Sequence, residues 1–361
     1  MLEEIKKAIE NQLIKFSYSL GENSKLVKLS PLLYRRLKEF ILRPGKRLRP
    51  ILFVLGYLAY SRKPAKNYLS CAVSLELLHD FLLIHDDIVD RSPLRRGKLS
   101  LHTLFENDLK KCKYAKIKGE DLALICGDIL YALCLKQFLA IKEDTHRKDH
   151  ALREFLQACF LTGCGEFLEL EISTKDIWAV SELQILRIYD LKTAYYSFAY
   201  PLTIGAILGD AARSEIKKIF AYGTYVGRAF QIYDDILGMF AEEETIGKSS
   251  ITDLAEAKKT LLIWYAYQHL PSNRRKYLTL LLRKKKVTAS DLKRMRKLLV
   301  DSAALTYCQR KIVLFCNKAD KLCQSLCIPA SYKNALTELS HKLVYIPAKS
   351  FFKNSRLTKL T

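Results

Sequence analysis

The sequence predicts an all-α protein. Three observations carry that prediction: only 14 glycines and 9 prolines punctuate the 361 residues, apolar residues recur between them at i, i+3, i+4 and i+7, and no stretch alternates apolar with polar as a half-buried strand does. Helices are expected, in order, over 2–20, 30–43, 48–61, 66–90, 98–114, 119–142, 148–173, 181–208, 213–240, 252–269, 273–285, 289–326 (with a break) and 330–344. The first carries acids and lysines at helical spacing in MLEEIKKAIENQLIKF, so it reads as a surface helix and not as a signal peptide. The fourth is an apolar run, LELLHDFLLIHDD, that ends in carboxylates, and the ninth ends the same way in FQIYDDILG. The longest apolar stretch, AYYSFAYPLTIGAILG over 194–209, is shorter than the ~18 to 20 residues a bilayer span needs and contains a proline, so it reads as a core helix.

The hydrophobic content of 49% is enough for a large buried core, and no Gly/Ser/Pro linker or fixed-period repeat divides the chain, so a single domain over 1–361 is expected. Sixty Lys and Arg against 38 Asp and Glu give a formal charge of +22, which favours polyanionic partners. No helix-turn-helix or aromatic-basic interleaving accompanies that charge, so no nucleic-acid partner is expected. The basic run LLRKKKVT and the basic tail over 346–361 read as solvated surface, with at most a peripheral attraction to anionic lipid. Ten cysteines lie scattered from Cys71 to Cys327 without a CxxC pair, the pattern of reduced thiols in a cytoplasmic protein.

Chemistry concentrates at two helix ends. Asp86 and Asp90 stand four residues apart, on one face of the fourth helix, where they can hold a hard cation jointly, whereas Asp87 points about 100° away. An oxygen-only donor set with no His/Cys shell favours Mg²⁺, which keeps waters and completes its octahedron with substrate phosphate oxygens. Asp234 and Asp235 repeat the device after the ninth helix, so two acidic ends facing one another could neutralise a departing diphosphate. Cations stand where phosphate oxygens need them: Lys46, Arg47 and Arg49 in PGKRLRP, Arg95 and Arg96 past the first motif, and Lys192, Lys248 and Lys258. His79 lies two turns before Asp86, roughly 10 Å back along the same face at about 1.5 Å per residue. His85 has no comparable argument and reads as structural. No Ser/His/Asp or Cys/His nucleophile arrangement is present.

With GKRLRP, DDIVDxxxxRRG, KTAYYSF and FQIYDDILG in this order, the chain resembles the trans-prenyl diphosphate synthases, the farnesyl and geranylgeranyl diphosphate synthase family, from about residue 30 to 345. The resemblance implies a bundle of about a dozen mostly antiparallel helices around a deep central cavity, and a homodimer in the cytoplasm. The implied reaction joins isopentenyl diphosphate to an allylic diphosphate (dimethylallyl, geranyl or farnesyl) by ionisation, with three Mg²⁺ ions per site. Asp86, Asp90 and Asp234, supported by Asp87 and Asp235, match the metal ligands. Arg95, Lys192 and Lys248 match contacts to the allylic diphosphate. Lys46, Arg49, His79 and Arg96 match the isopentenyl pocket, with Arg47 beside them. Thr193 and Gln231 match groups that face the allylic cation, and Lys258 falls in the closing segment.

The chain departs from the family at Gly238, where a third aspartate commonly stands, at Gly165-Glu166, which replaces a Gly-Gln pair, and at Glu169, which replaces an Asp. Product length in the family is limited by bulk at the fifth and fourth residues before the first aspartate, here Phe81 and Leu82. A single aromatic there, with no insertion inside DDIVD, resembles the archaeal geranylgeranyl pattern. Farnesyl and longer products stay open. A class I terpene cyclase shares DDxxD but needs no isopentenyl pocket, and GKRLRP with Arg95-Arg96 argues against it. A non-catalytic subunit of a heterodimeric synthase would lack part of this set.

Overall fold

The helical periodicity is realised almost throughout the computed structural model, which describes residues 1–22, 26–241, 258–284 and 286–344. The first compact unit holds Met1–Phe155 and Pro201–Ile216, and the second holds Leu156–Tyr200 and the residues from Lys217 onward. Each is built from separated stretches of chain, a division that no linker in the sequence announces.

In the first unit, α1 (Leu2–Glu22) and α2 (Leu26–Leu29) lead into α3 (Pro31–Ile41). Ser30 caps α3 by accepting the Leu33 N–H, and Pro31 sits at its first position, where a missing N–H costs nothing. In α4 (Leu48–Tyr60), 10 of 13 residues are buried, so it is apolar all round and serves as a core helix. Helix α5 (Tyr68–Val89) is buried along most of its length and carries the first aspartate motif at its C-terminal end. A two-stranded antiparallel hairpin follows, β1 (Leu94–Arg95) against β2 (Lys98–Leu99), then α6 (Leu101–Leu109), α7 (Gly119–Leu139) and the first part of α8 (Thr145–Ser173).

The second unit contains the rest of α8, α9 (Glu182–Tyr189) with a Ser181/Gln184 capping box, a π-helical segment over Asp190–Ala199, and most of α11 (Arg213–Phe240). Helix α10 (Tyr200–Leu208) lies between them in sequence. Further helices span Leu261–His269, Ser272–Leu282, Ala289–Asp301, Ala304–Gln324 and Ala330–Leu343. Its apolar core gathers Ile185, Ile232, Leu261, Met295, Cys308 and Ile312.

Three expectations are corrected. The helix expected over 98–114 starts only at Leu101, because Arg96 and Gly97 both adopt positive φ (55° and 72°) and make a tight hairpin turn first. The helix expected over 252–269 begins at Leu261, capped by Thr260; residues 252–257 lie outside the described residues. The break expected within 289–326 falls at Ala303, whose φ of 60° interrupts the ladder. Two helices other than 194–209, namely α5 and α7, are long and apolar enough to cross a membrane by length and composition, and most of the α5 window is buried inside the protein.

Candidate active site

The end of α5 is held by an arginine. Arg95 of β1 donates from Nε to Asp87 Oδ1 at 2.7 Å and from an Nη to Asp86 Oδ2 at 2.9 Å. Asp87 is 1% exposed and turned toward that arginine, whereas Asp86 is 22% exposed. Burial alone would lower the Arg95 pKa, but Asp87 and then Asp86 offset this and hold it above its ordinary value. Asp86 and Asp90 are both half-buried, one turn apart at the helix terminus, and present an oxygen-only donor pair suited to a hard cation. The sequence grouping of Asp86, Asp87 and Asp90 therefore divides by burial: Asp87 anchors Arg95 from inside, and half-buried Asp86 shares the same guanidinium one turn before half-buried Asp90.

One face of α5 further back meets the PGKRLRP loop. Glu76 (1% exposed) accepts from an Arg47 Nη at 2.6 Å and lies 3.9 Å from Arg96. Arg47, at φ 52°, also donates to the Arg43 carbonyl at 2.6 Å. Arg43 in turn donates to Glu39 and to the Leu99 carbonyl, tying this loop to the hairpin. Arg47 is thus buried and committed to protein partners, in contrast to exposed Lys46 and half-buried Arg49 and Arg96. His79 is half-buried, and burial followed by the charges of Arg49, Arg96, Arg95 and Arg47 pushes its pKa well below the ordinary value, leaving a neutral imidazole.

Asp80, four residues after Glu76 and fully buried, has neither carboxylate oxygen hydrogen-bonded among the described residues. Burial, then Glu76, raises its pKa well above 3.8, against the pull of Arg96, Arg47 and Arg49. A folded-state pKa above the unfolded one gives stability that is fully present below the unfolded pKa and is lost as pH rises through the folded pKa. Asp80→Asn, which cannot ionise, should therefore match the parent near pH 4 and exceed it by about 1 to 3 kcal/mol at pH 7 to 8. Urea unfolding at the two pH values measures this; an equal difference at both would mean that Asp80 is not the titrating group.

Below the motif, Phe81 packs its ring against His85 (centroids 4.6 Å apart) and against Tyr131 of α7 (5.1 Å). His85 bonds the Phe81 carbonyl through Nδ1 at 3.1 Å and lies 3.7 Å from Asp128. Gly127 is required for this fit, since a Cβ there would fall 2.3 Å from His85 Cε1. Leu82 is half-buried beside them. His85, read from sequence as structural, is the brace of the Phe81 ring.

In the second unit the π-helical segment displays Lys192 and Thr193, and such widened turns are frequent at functional sites. The Lys192 ammonium lies 2.7 Å from Glu166 and also bonds Glu169. Gly165 permits this closeness, because a Cβ would meet the Lys192 backbone nitrogen at 2.7 Å. Arg228 of α11 clamps Asp190 with two 2.6 Å bonds. Thr193 Oγ1 donates to Gln231 Oε1 at 2.6 Å, and Gln231 Nε2 donates to Asp235 Oδ1 at 2.9 Å. The Tyr189 hydroxyl donates to Asp235 Oδ2 and accepts the Leu261 N–H at 3.0 Å. Burial and the Asp235 charge raise the phenol pKa well above its ordinary value, so it stays a donor. Asp234 is exposed, Lys258 is half-buried and Gly238 is buried. Lys248 lies outside the described residues.

Sequence reading missed Glu76, Asp80, Arg43 and Tyr189. A carboxylate inside an apolar helical run was the available signal for the first two. A lone tyrosine at an apolar position gave none.

The chain matches a family model described as polyprenyl synthetase over residues 30–299. It is 32% identical over 306 residues to a geranylfarnesyl diphosphate synthase of Aeropyrum pernix, covering 83% of this chain and 90% of that protein. It is also 32% identical over 236 residues to a geranylgeranyl diphosphate synthase of Methanosarcina mazei, covering 65% and 68%. Among solved structures, the geranylgeranyl pyrophosphate synthase of Corynebacterium glutamicum, complexed with isoprenyl diphosphate and magnesium, superposes with a TM-score of 0.87 at 22% identity. That match covers 96% of this chain and 99% of the other, and shows the fold.

Proposed function

The chain belongs to the polyprenyl synthetase family, and from that premise we propose that it is a prenyltransferase joining isopentenyl diphosphate head-to-tail to an allylic diphosphate. The observation that carries this reading is the end of α5, where half-buried Asp86 and Asp90 stand one turn apart while Arg95 is fixed beside them by Asp87 and Asp86. Asp86, Asp90 and Asp234 would hold Mg²⁺, which when bound neutralises charge on the leaving diphosphate.

The chain's own residues do the rest. Arg95 and Lys192 grip the allylic diphosphate, Lys192 being aimed by Glu166 and Glu169. Lys46, Arg49, His79 and Arg96 receive isopentenyl diphosphate, and the Glu76–Arg47 pair holds their loop without touching substrate. Lys258 is assigned to the diphosphate contacts, and so is Lys248, which lies outside the described residues. The hydroxyl and amide oxygens of Thr193 and Gln231 face the allylic cation, and the apolar helices keep water from trapping it. The isopentenyl double bond attacks the cation, and the released diphosphate takes the proton that is lost.

Geranylgeranyl diphosphate is the proposed product, with Phe81 as the floor, and the geranylfarnesyl relative keeps a longer chain as the second reading. Incubation with labelled isopentenyl diphosphate and farnesyl diphosphate, followed by chain-length analysis, tests this. The parent should stop at twenty carbons, and Phe81→Ala should add at least one five-carbon unit. An unchanged product from the variant would remove Phe81 as the floor.

A second copy of the chain is the proposed partner. On α8, Leu156, Phe160, Phe167 and Leu170 are exposed at spacings of 4, 7 and 3, one apolar helix face, and α7 separately exposes Leu124, Ile125 and Leu139. Sedimentation velocity at micromolar concentration should give a dimer mass, and a monomer would contradict the pairing. Cys71, Cys126, Cys134, Cys308 and Cys323 are buried among apolar side chains, which supports a reducing, cytoplasmic setting.

A further inference from the structure

The second aspartate pair is asymmetric: Asp234 is exposed, while Asp235 accepts from Gln231 and from Tyr189. An ionised carboxylate only accepts hydrogen bonds, so whatever Gln231 turns toward Asp235 must be its NH₂. The Gln231 oxygen is then forced to the other side, where it accepts from Thr193 at 2.6 Å. Asp235 is kept from rotating by the Tyr189 hydroxyl, which is itself pinned by the Leu261 N–H, an otherwise unpaired donor of the first helical turn. Tyr189 is 6% exposed and lies at the end of α9, next to the π-helical segment that carries Thr193.

We propose that Tyr189 and Asp235 are positioning residues that fix the direction of the Gln231 amide, so that an oxygen dipole and not an NH₂ faces the allylic cation. This rests on the prenyltransferase reading and deepens it. It also takes Asp235 out of the metal-ligand set in which the sequence placed it, leaving Asp234. The chain of bonds runs one way, from Leu261 through Tyr189 to Asp235, and from Thr193 to Gln231 and on to Asp235. Replacing Asp235 by asparagine breaks that direction, because the new amide can donate to the Gln231 oxygen and allow the side chain to flip.

The experiment compares the full-length parent with Asp235→Asn, Tyr189→Phe and Asp234→Asn, using isopentenyl and farnesyl diphosphates across a Mg²⁺ titration, with thermal unfolding of each protein. Asp235→Asn should lower kcat about tenfold, and Tyr189→Phe by a smaller factor of about three, with both KM values and the half-saturating Mg²⁺ unchanged within about twofold. Asp234→Asn alone should raise the half-saturating Mg²⁺. If Asp235→Asn raises it to the same extent, Asp235 is a ligand and the inference is overturned. If both variants keep the parental kcat and lose only unfolding temperature, the role is structural and the inference is likewise overturned. A parent that elongates no starter sinks the prenyltransferase reading and this inference with it, whereas normal variants against an active parent sink the inference alone.

Discussion

Asp86→Ala should lower kcat at least about a thousandfold, roughly 4 kcal/mol of transition-state stabilisation, while the protein unfolds within about 1 kcal/mol of the parent. The two effects separate because the carboxylate contributes little to the fold. Asp86 is the more exposed acid of the pair, at the C-terminal end of α5, where the helix dipole disfavours negative charge. Its loss leaves the Arg95 guanidinium with Asp87, the better-buried partner, so no charge is orphaned. What disappears is one half of the donor pair with Asp90. Initial rates with saturating diphosphates and Mg²⁺, set beside urea unfolding, measure both quantities. Near-parental turnover would show that Asp86 is not a ligand, and a large loss of stability would show that it is a structural acid.

Glu76→Ala should do the reverse, destabilising the fold by about 3 to 5 kcal/mol. Glu76 and Arg47 are both almost wholly buried, and among the described residues their 2.6 Å contact compensates the Glu76 charge most closely, with Arg96 at 3.9 Å. Removing the carboxylate strands a buried guanidinium and loosens the loop that carries Lys46 and Arg49. In whatever fraction stays folded, KM for isopentenyl diphosphate should rise while KM for the allylic substrate holds. Glu76→Gln keeps the shape and one acceptor oxygen and should cost less. Urea unfolding and the two KM values decide it; a loss under about 1 kcal/mol would mean that Arg47 finds water or another partner.

Much of this arrangement is legible in the amino-acid sequence. Helices such as 48–61 and 330–344 are found within a residue or two, because their apolar spacing admits one secondary structure only. DDIVD was legible because carboxylates after an apolar run demand a partner, and Arg95, eight residues past Asp87, supplies it. The π-helical stretch at Asp190–Ala199 was not legible, since KTAYYSF satisfies a 3.6-residue period equally well and only packing widens the turn. Asp87 and Asp235, which the sequence offers as supporting ligands, turn to protein partners that the motifs themselves do not reveal. Helix geometry gives the direction of a side chain, but what waits in that direction, Arg95 for one and Tyr189 with Gln231 for the other, comes from distant sequence. Arg47 reads like Arg49 in PGKRLRP, and only its burial against Glu76 marks it as bonded within the fold.

A Mg²⁺-dependent prenyltransferase should elongate an allylic diphosphate only when the metal is present. Incorporation of labelled isopentenyl diphosphate into butanol-extractable product tests it most directly, with dimethylallyl, geranyl or farnesyl diphosphate as starter, first in EDTA and then after Mg²⁺ is restored. No incorporation in EDTA, recovery with Mg²⁺, and a twenty-carbon diphosphate as the main product are expected. Absence of incorporation with every starter in saturating Mg²⁺, or equal incorporation in EDTA, would contradict the prenyltransferase reading.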